Sequence, residues 1–161
     1  NTCQIILNEY QDRDFLNYEL ISAADIVIIH ESWVKDLDLS KLKNFIQKYD
    51  DTEILLVNRR PQFIDIPTLY TQTSGNLNLL AKKYSNNSVK TNNVMLKDES
   101  KKNNINYFDI FQLICAPNEC KVIHDNEILI TDKYHWSLFG WFYYGKMLEK
   151  SELKKILLNI M

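Results

Sequence analysis

The chain has 161 residues, 45% of them hydrophobic and 12% aromatic, which is enough to bury one sizeable core in a single domain over residues 1–161. Nineteen basic against 21 acidic residues leave a net charge of -2, and no basic block is present to follow a phosphate backbone, so nucleic acid is not an expected partner. No apolar run has the length of a membrane span. The opening NTCQIILNEY carries neither an initiator Met nor the layout of a signal peptide, so a piece of a longer protein is expected.

In chain order, 3-CQIIL-7 reads as a strand and 12-DRDFLNYELI-21 as a helix leading into the β-branched run 24-ADIVIIH-30. That run, like 52-TEILLVNRR-60, has the length of a strand buried on both faces. Between them 39-LSKLKNFIQKYD-50 places Leu39, Leu42, Phe45, Ile46 and Tyr49 at helical spacing, with Ser40 as cap. Such a strand–helix–strand unit closes right-handed and makes a parallel sheet. Pro61 and Pro67 bracket an irregular connection, and 75-GNLNLLAKKYS-85 reads as a further helix. The polar stretch 86–104 shows no apolar period, and its Asn86-Asn87-Ser88 fits a chance match to a glycosylation acceptor in so Asn-rich a chain. A last parallel strand is expected in 105-INYFDIF-111 and a short extended segment in 127-EILITD-132. From Ser137 to Met161 a closing helix is predicted, its apolar stripe running through Leu138, Trp141, Phe142, Gly145 and Leu148 and resuming at Leu153, Ile156, Leu157 and Ile160. The expected fold is therefore α/β, a three-layer α/β/α sandwich around a parallel sheet in which the Asp25 and Glu53 segments are adjacent central strands.

Of the three cysteines, Cys115 and Cys120 lie in 115-CAPNEC-120, where Pro117 and Asn118 favour a turn that brings the sulfurs together. A disulfide and two free thiols both suit this spacing; with only His124 nearby, a four-ligand zinc site does not, and no metal or cofactor is expected. The stretch 129-LITDKYHWSLFG-140 places an acid and a histidine three residues apart just before the long helix. Across a tight turn Asp132 can accept a hydrogen bond from one ring nitrogen of His135 and leave the other as a base. By itself Asp-x-x-His also fits a helix cap beside a packed surface histidine.

The order of motifs decides between these readings. The block 131-TDKYHWSLFG-140, preceded by 25-DIVIIHESW-33 and by the aspartate-then-two-cysteines segment 106-NYFDIFQLICAPNEC-120, resembles the SGNH (GDSL-like) hydrolase superfamily. More narrowly, over residues 20 to 150 it resembles the SGNH domain fused to acyltransferase-three type membrane acyltransferases. The resemblance implies His135 as general base and Asp132 as its orienting acid. It implies an extracytoplasmic, periplasmic setting as part of a membrane-anchored protein, and with it a Cys115–Cys120 disulfide. The activity implied is serine-dependent O-acyl (acetyl) transfer or ester hydrolysis on a cell-surface glycan. The family's nucleophile is the serine of a Gly-Asp-Ser motif, and none of Gly75, Gly140 and Gly145 is followed by Asp, so the serine and the first strand segment are expected upstream.

The family's oxyanion donors are a glycine and an asparagine at strand ends, and 30-HESW-33 has neither. Candidates for oxyanion or substrate contacts are Ser32, His30, Trp33 at the mouth of the site, Asn58 at a strand end, and Trp136 beside the histidine. All but Trp136 have a plainer alternative: a strand pair that points one way without touching for His30 and Ser32, core for Trp33, and a polar strand end for Asn58. Trp141, on the stripe, is expected in the core. Arg59 and Arg60 fit either a contact to an anionic glycan or a solvated strand end. The competing functions are a non-catalytic glycan- or partner-binding domain on the same fold and an unrelated flavodoxin-like domain.

Overall fold

The structure, a computed structural model, describes residues 2–5, 23–30, 44, 47–48, 52–64, 66–71, 75–133 and 135–160. Its sheet has four parallel strands in the order β1 (Thr2–Ile5), β2 (Ile26–His30), β3 (Glu53–Val57) and β4 (Asn106–Phe108). Ile29 lies opposite Leu56 across the β2–β3 pair, and Leu56 opposite Tyr107 across β3–β4. The Asp25 and Glu53 segments are thus neighbours at the centre, as their uninterrupted apolar runs require: Val27, Ile29, Leu55 and Leu56 are completely buried.

Alternation along the strands sends Ile26, Ile28, Leu55, Val57 and Phe108 to one face, where Leu148, Leu153, Ile156 and Leu157 cover them. Helix α3 (Asn87–Lys102) lies on the other side of the sheet: the Tyr107 hydroxyl donates to the Asn93 carbonyl there. Helices on both faces make the three-layer α/β sandwich. A second core gathers beyond the strands. It contains Phe63, Ile66 and Leu69 with helix α1 (Ile66–Thr71), Ala81 of α2 (Leu77–Tyr84), Phe111 and Ile114 of α4 (Ile110–Ile114), and Tyr144 of α5 (Leu138–Glu149).

Several expectations change. The Pro61–Pro67 connection contains α1, with Pro67 in its first turn, where the missing N–H removes no helical bond. The polar stretch 86–104 forms α3, the longest described helix. Its inward face carries Asn92, Asn93, Glu99 and Ser100 besides Val89 and Leu96, which is why no apolar period shows in the sequence. Asn86 is not a free acceptor site but the cap: its side-chain oxygen accepts from the Ser88 N–H and hydroxyl. The closing helix is two helices, α5 and α6 (Glu152–Ile160), parted at Lys150 and Ser151. Leu148, Leu153, Ile156 and Leu157 of the expected stripe face the sheet, but Leu138, Trp141 and Phe142 point to solvent. Helix α5 is apolar nearly all round, with only Lys146 and Glu149 charged, so periodicity cannot choose its inner face; the close approach at Gly140 and the buried Tyr144 choose it. Trp141 is accordingly a surface residue, 63% exposed, and not core. The expected helix 12–21 and most of 39–50 lie outside the described residues; Asn44, Gln47 and Lys48 are helical.

Candidate functional site

The segment from Cys115 to Ser137 is tied down one bond at a time. Cys115 and Cys120 are joined by a disulfide, buried in the second core. Asn78 accepts with Oδ1 from the Val122 and Ile123 amides and donates to the Ile123 carbonyl. Strands β5 (Ile123–His124) and β6 (Glu127–Ile128) then form a hairpin whose two turn residues, Asp125 and Asn126, both have positive φ, 48° and 65°, as a tight right-twisting turn demands. The Tyr70 hydroxyl reaches the Ile130 carbonyl at 2.6 Å, and burial of that phenol pushes its pKa up to about 12, so it stays a neutral donor.

From this anchored strand the chain makes one closed loop. Ile130 pairs antiparallel with Trp136, and the Thr131 amide donates to the His135 carbonyl at 3.0 Å. Inside the loop Asp132 accepts from the His135 backbone N–H at 2.9 Å and contacts the ring Nδ1 with both carboxylate oxygens, at 2.8 and 3.0 Å. The carboxylate thus holds the imidazole as the Nδ1–H tautomer and leaves Nε2 as the basic nitrogen. Ser137 closes the loop: its hydroxyl donates to the Ile128 carbonyl, accepts from the Gly140 amide at 2.9 Å and so caps α5. Gly140 lets the helix lie against the strand, for a Cβ there would stand 2.0 Å from the Leu129 carbonyl oxygen.

His135 opens onto a cleft of about 310 Å³, lined also by His30, Arg60, Ile110, Trp136 and Trp141. His30 is the last residue of β2, Arg60 follows the end of β3 and Ile110 the end of β4, which puts the cleft beyond the carboxyl ends of three parallel strands. Open α/β sheets bind ligands at that edge. The His30 Nδ1 lies 3.3 Å from the Val57 carbonyl; burial lowers its pKa, with the nearby Arg60 charge acting in the same direction, so His30 faces the cleft as a neutral ring. Trp136 and Trp141 meet edge-to-face, centroids 4.9 Å apart, and Arg60 lies over the Trp136 ring.

Of the residues singled out in the sequence, His135, His30, Arg60 and Trp136 therefore come together at one cleft, with Asp132 bonded behind the histidine. Ser32 and Trp33 lie outside the described residues. Asn58 is elsewhere: it is fully buried, its amide donates to the Asp109 carboxylate at 2.6 Å and to the Tyr107 hydroxyl at 2.8 Å, and its oxygen accepts from the Phe111 amide. Both amide protons are engaged, which leaves none for an oxyanion; Asn58 instead clamps β3 to the start of α4. Trp141 and Ile110 are cleft residues that sequence reasoning passed over. The stripe disguised Trp141, although its spacing of five from Trp136 across the helix start was a usable signal.

The model of one protein family, described as the SGNH domain fused to AT3 domains, matches residues 3–150. The chain belongs to this SGNH domain family. No curated protein matches it. Among solved structures, the SGNH domain described here is similar to the periplasmic domain of the lipopolysaccharide acetyltransferase of Salmonella ser. Paratyphi A, at a TM-score of 0.58 and 14% identity. That likeness covers 83% of this chain and 57% of the other, so the chain spans little more than half of the neighbour's length. At such identity it is the fold that the two share.

Proposed function

We propose that this SGNH domain performs O-acyl transfer, or the matching ester hydrolysis, on a cell-surface glycan, with His135 as general base and Asp132 as the residue that orients it. The observation that carries the proposal is the Asp132–His135 pair at the cleft, the carboxylate on Nδ1 at 2.8 Å and no hydrogen bond from a described residue on Nε2. An imidazole so held takes a proton through Nε2 from a serine hydroxyl as the oxygen attacks an acyl carbonyl. It then returns the proton to the leaving group, and the acyl-enzyme is resolved when Nε2 deprotonates an acceptor hydroxyl or water. These 161 residues contain no Gly-Asp-Ser, so the reading requires the serine to come from elsewhere in the intact protein. The family's fusion to AT3 domains supports an extracytoplasmic setting beside a membrane acyltransferase partner; among the described residues no helix is long and apolar enough to cross a membrane. The buried disulfide suits the same oxidising setting.

The test is His135→Ala in the intact protein, read as acetyl transferred to glycan. Transfer should fall by roughly 10⁴-fold or more. The fold should stay within about 0.5 kcal/mol of wild type, because the side chain is 73% exposed. Near-normal turnover would refute the reading and leave a glycan- or partner-binding domain.

A further inference from the structure

The cleft holds a cation that the acyl-transfer chemistry does not use. The Arg60 guanidinium lies 5.3 Å from the centroid of the Trp136 ring, in the same cleft as His135. Among the described residues no carboxylate stands within ion-pair distance of it. Asp132 attracts it from further away, but that carboxylate already serves the His135 amide and ring. Burial and the Arg60 charge lower the pKa of His30 beside it, and Arg59 adds repulsion, so among the described residues that line the cleft Arg60 is the fixed positive charge. A half-buried guanidinium with no ion pair to a described carboxylate is incompletely compensated, and the face of one indole makes up only part of the difference. An oxyanion brought by a ligand completes the balance, since the planar fork of arginine donates two parallel hydrogen bonds to a carboxylate or phosphate. The Trp136 ring is taken up by Arg60, Tyr144 and Trp141, whereas the Trp141 indole, 63% exposed, offers the cleft a flat apolar wall of the kind on which a sugar ring can stack.

We infer that this cleft selects an acidic sugar, one that carries a carboxylate or a phosphate, and that Arg60 is the residue that selects it. The inference rests on the acyl-transfer reading for the reaction, while its own content is the charge of the acceptor or ester.

Binding and turnover separate the two. In the intact protein carrying His135→Ala, where no turnover interferes, tryptophan fluorescence is titrated with methyl glucuronoside, glucose 6-phosphate and the neutral methyl glucoside. At least one acidic sugar should bind roughly 10- to 100-fold more tightly than the neutral one, the range expected of a charged hydrogen bond, and the two acidic probes show whether carboxylate or phosphate is preferred. Adding Arg60→Gln should erase the difference, and Arg60→Lys should keep part of it, since charge remains without the fork. If Arg60→Gln does not fold, the partial loss in Arg60→Lys is the deciding measurement. Equal affinity for acidic and neutral sugars, or an acid preference unchanged in both Arg60 variants, overturns the inference. So does a fall in kcat that is the same for acidic and neutral acceptors with KM unmoved, which would assign Arg60 to the reacting centre. Acyl transfer that ignores acidity removes Arg60's role and keeps the reaction. Acid-selective, Arg60-dependent binding in a protein without transfer or esterase activity removes the reaction and keeps the sugar site.

Discussion

At the scale of single residues, Asp132 acts twice, accepting from the His135 main chain and from its ring. Asp132→Asn offers an amide whose NH₂ favours the other imidazole tautomer, so acyl transfer by the intact protein should drop on the order of 10³–10⁴-fold while the loop keeps its shape. Fold retention is read by circular dichroism beside the rate. His30 makes a prediction of a different kind. Its folded pKa lies below the ordinary 6.5 because burial disfavours the charged ring. Below pH 6.5 the unfolded chain therefore binds a proton more readily than the folded one, and stability is lost as pH falls through the folded value. Thermal melts between pH 7 and 5 should show a falling Tm, and His30→Gln should flatten that slope; an unchanged slope would mean that His30 is not the group responsible.

Among elements, α5 is the one on which the site depends. It begins at the Ser137 cap and lies against Leu129 only because residue 140 has no side chain. Gly140→Ala puts a methyl into backbone at 2.0 Å, where no flexible side chain can yield. The helix must move, at a cost of about 1–3 kcal/mol, and the loop with His135 moves with it. Chemical denaturation should show the loss of stability, and activity should fall more than stability alone explains. The same substitution at Gly145, which has nothing within 4 Å, should be neutral or slightly stabilising, since alanine is the better helix former.

For the whole molecule, the platform under the cleft is the second core, and the Cys115–Cys120 bridge is buried in it. Closing so short a loop is worth about 2 kcal/mol on the chain-entropy account. Reduction, or the double change Cys115→Ser with Cys120→Ser, should lower the unfolding midpoint accordingly and loosen the hairpin ahead of Asp132. Two alkylatable thiols at these positions in protein kept oxidised would rule the bridge out.

Much of this was open to reading in the chain itself. The β-branched runs at 26–30 and 53–57 are short, uninterrupted and separated by a helical period, and such segments are buried on both faces only in a parallel sheet. Asp132 bonds to His135 three residues on and Ser137 caps the helix that follows, so their spacing gave the turn, while Tyr70 and Asn78 fix the strand it leaves. Long-range choices were different. The inner face of α5, the burial of polar α3 and the engagement of Asn58 with Tyr107 and Asp109 depend on what packs opposite. So does the meeting of His30, Arg60 and Trp141 with His135, because it takes three strand ends and a helix start, distant in sequence, to enclose one cleft. Local spacing encodes hydrogen bonds between near neighbours, whereas only the tertiary structure decides which surfaces share a volume.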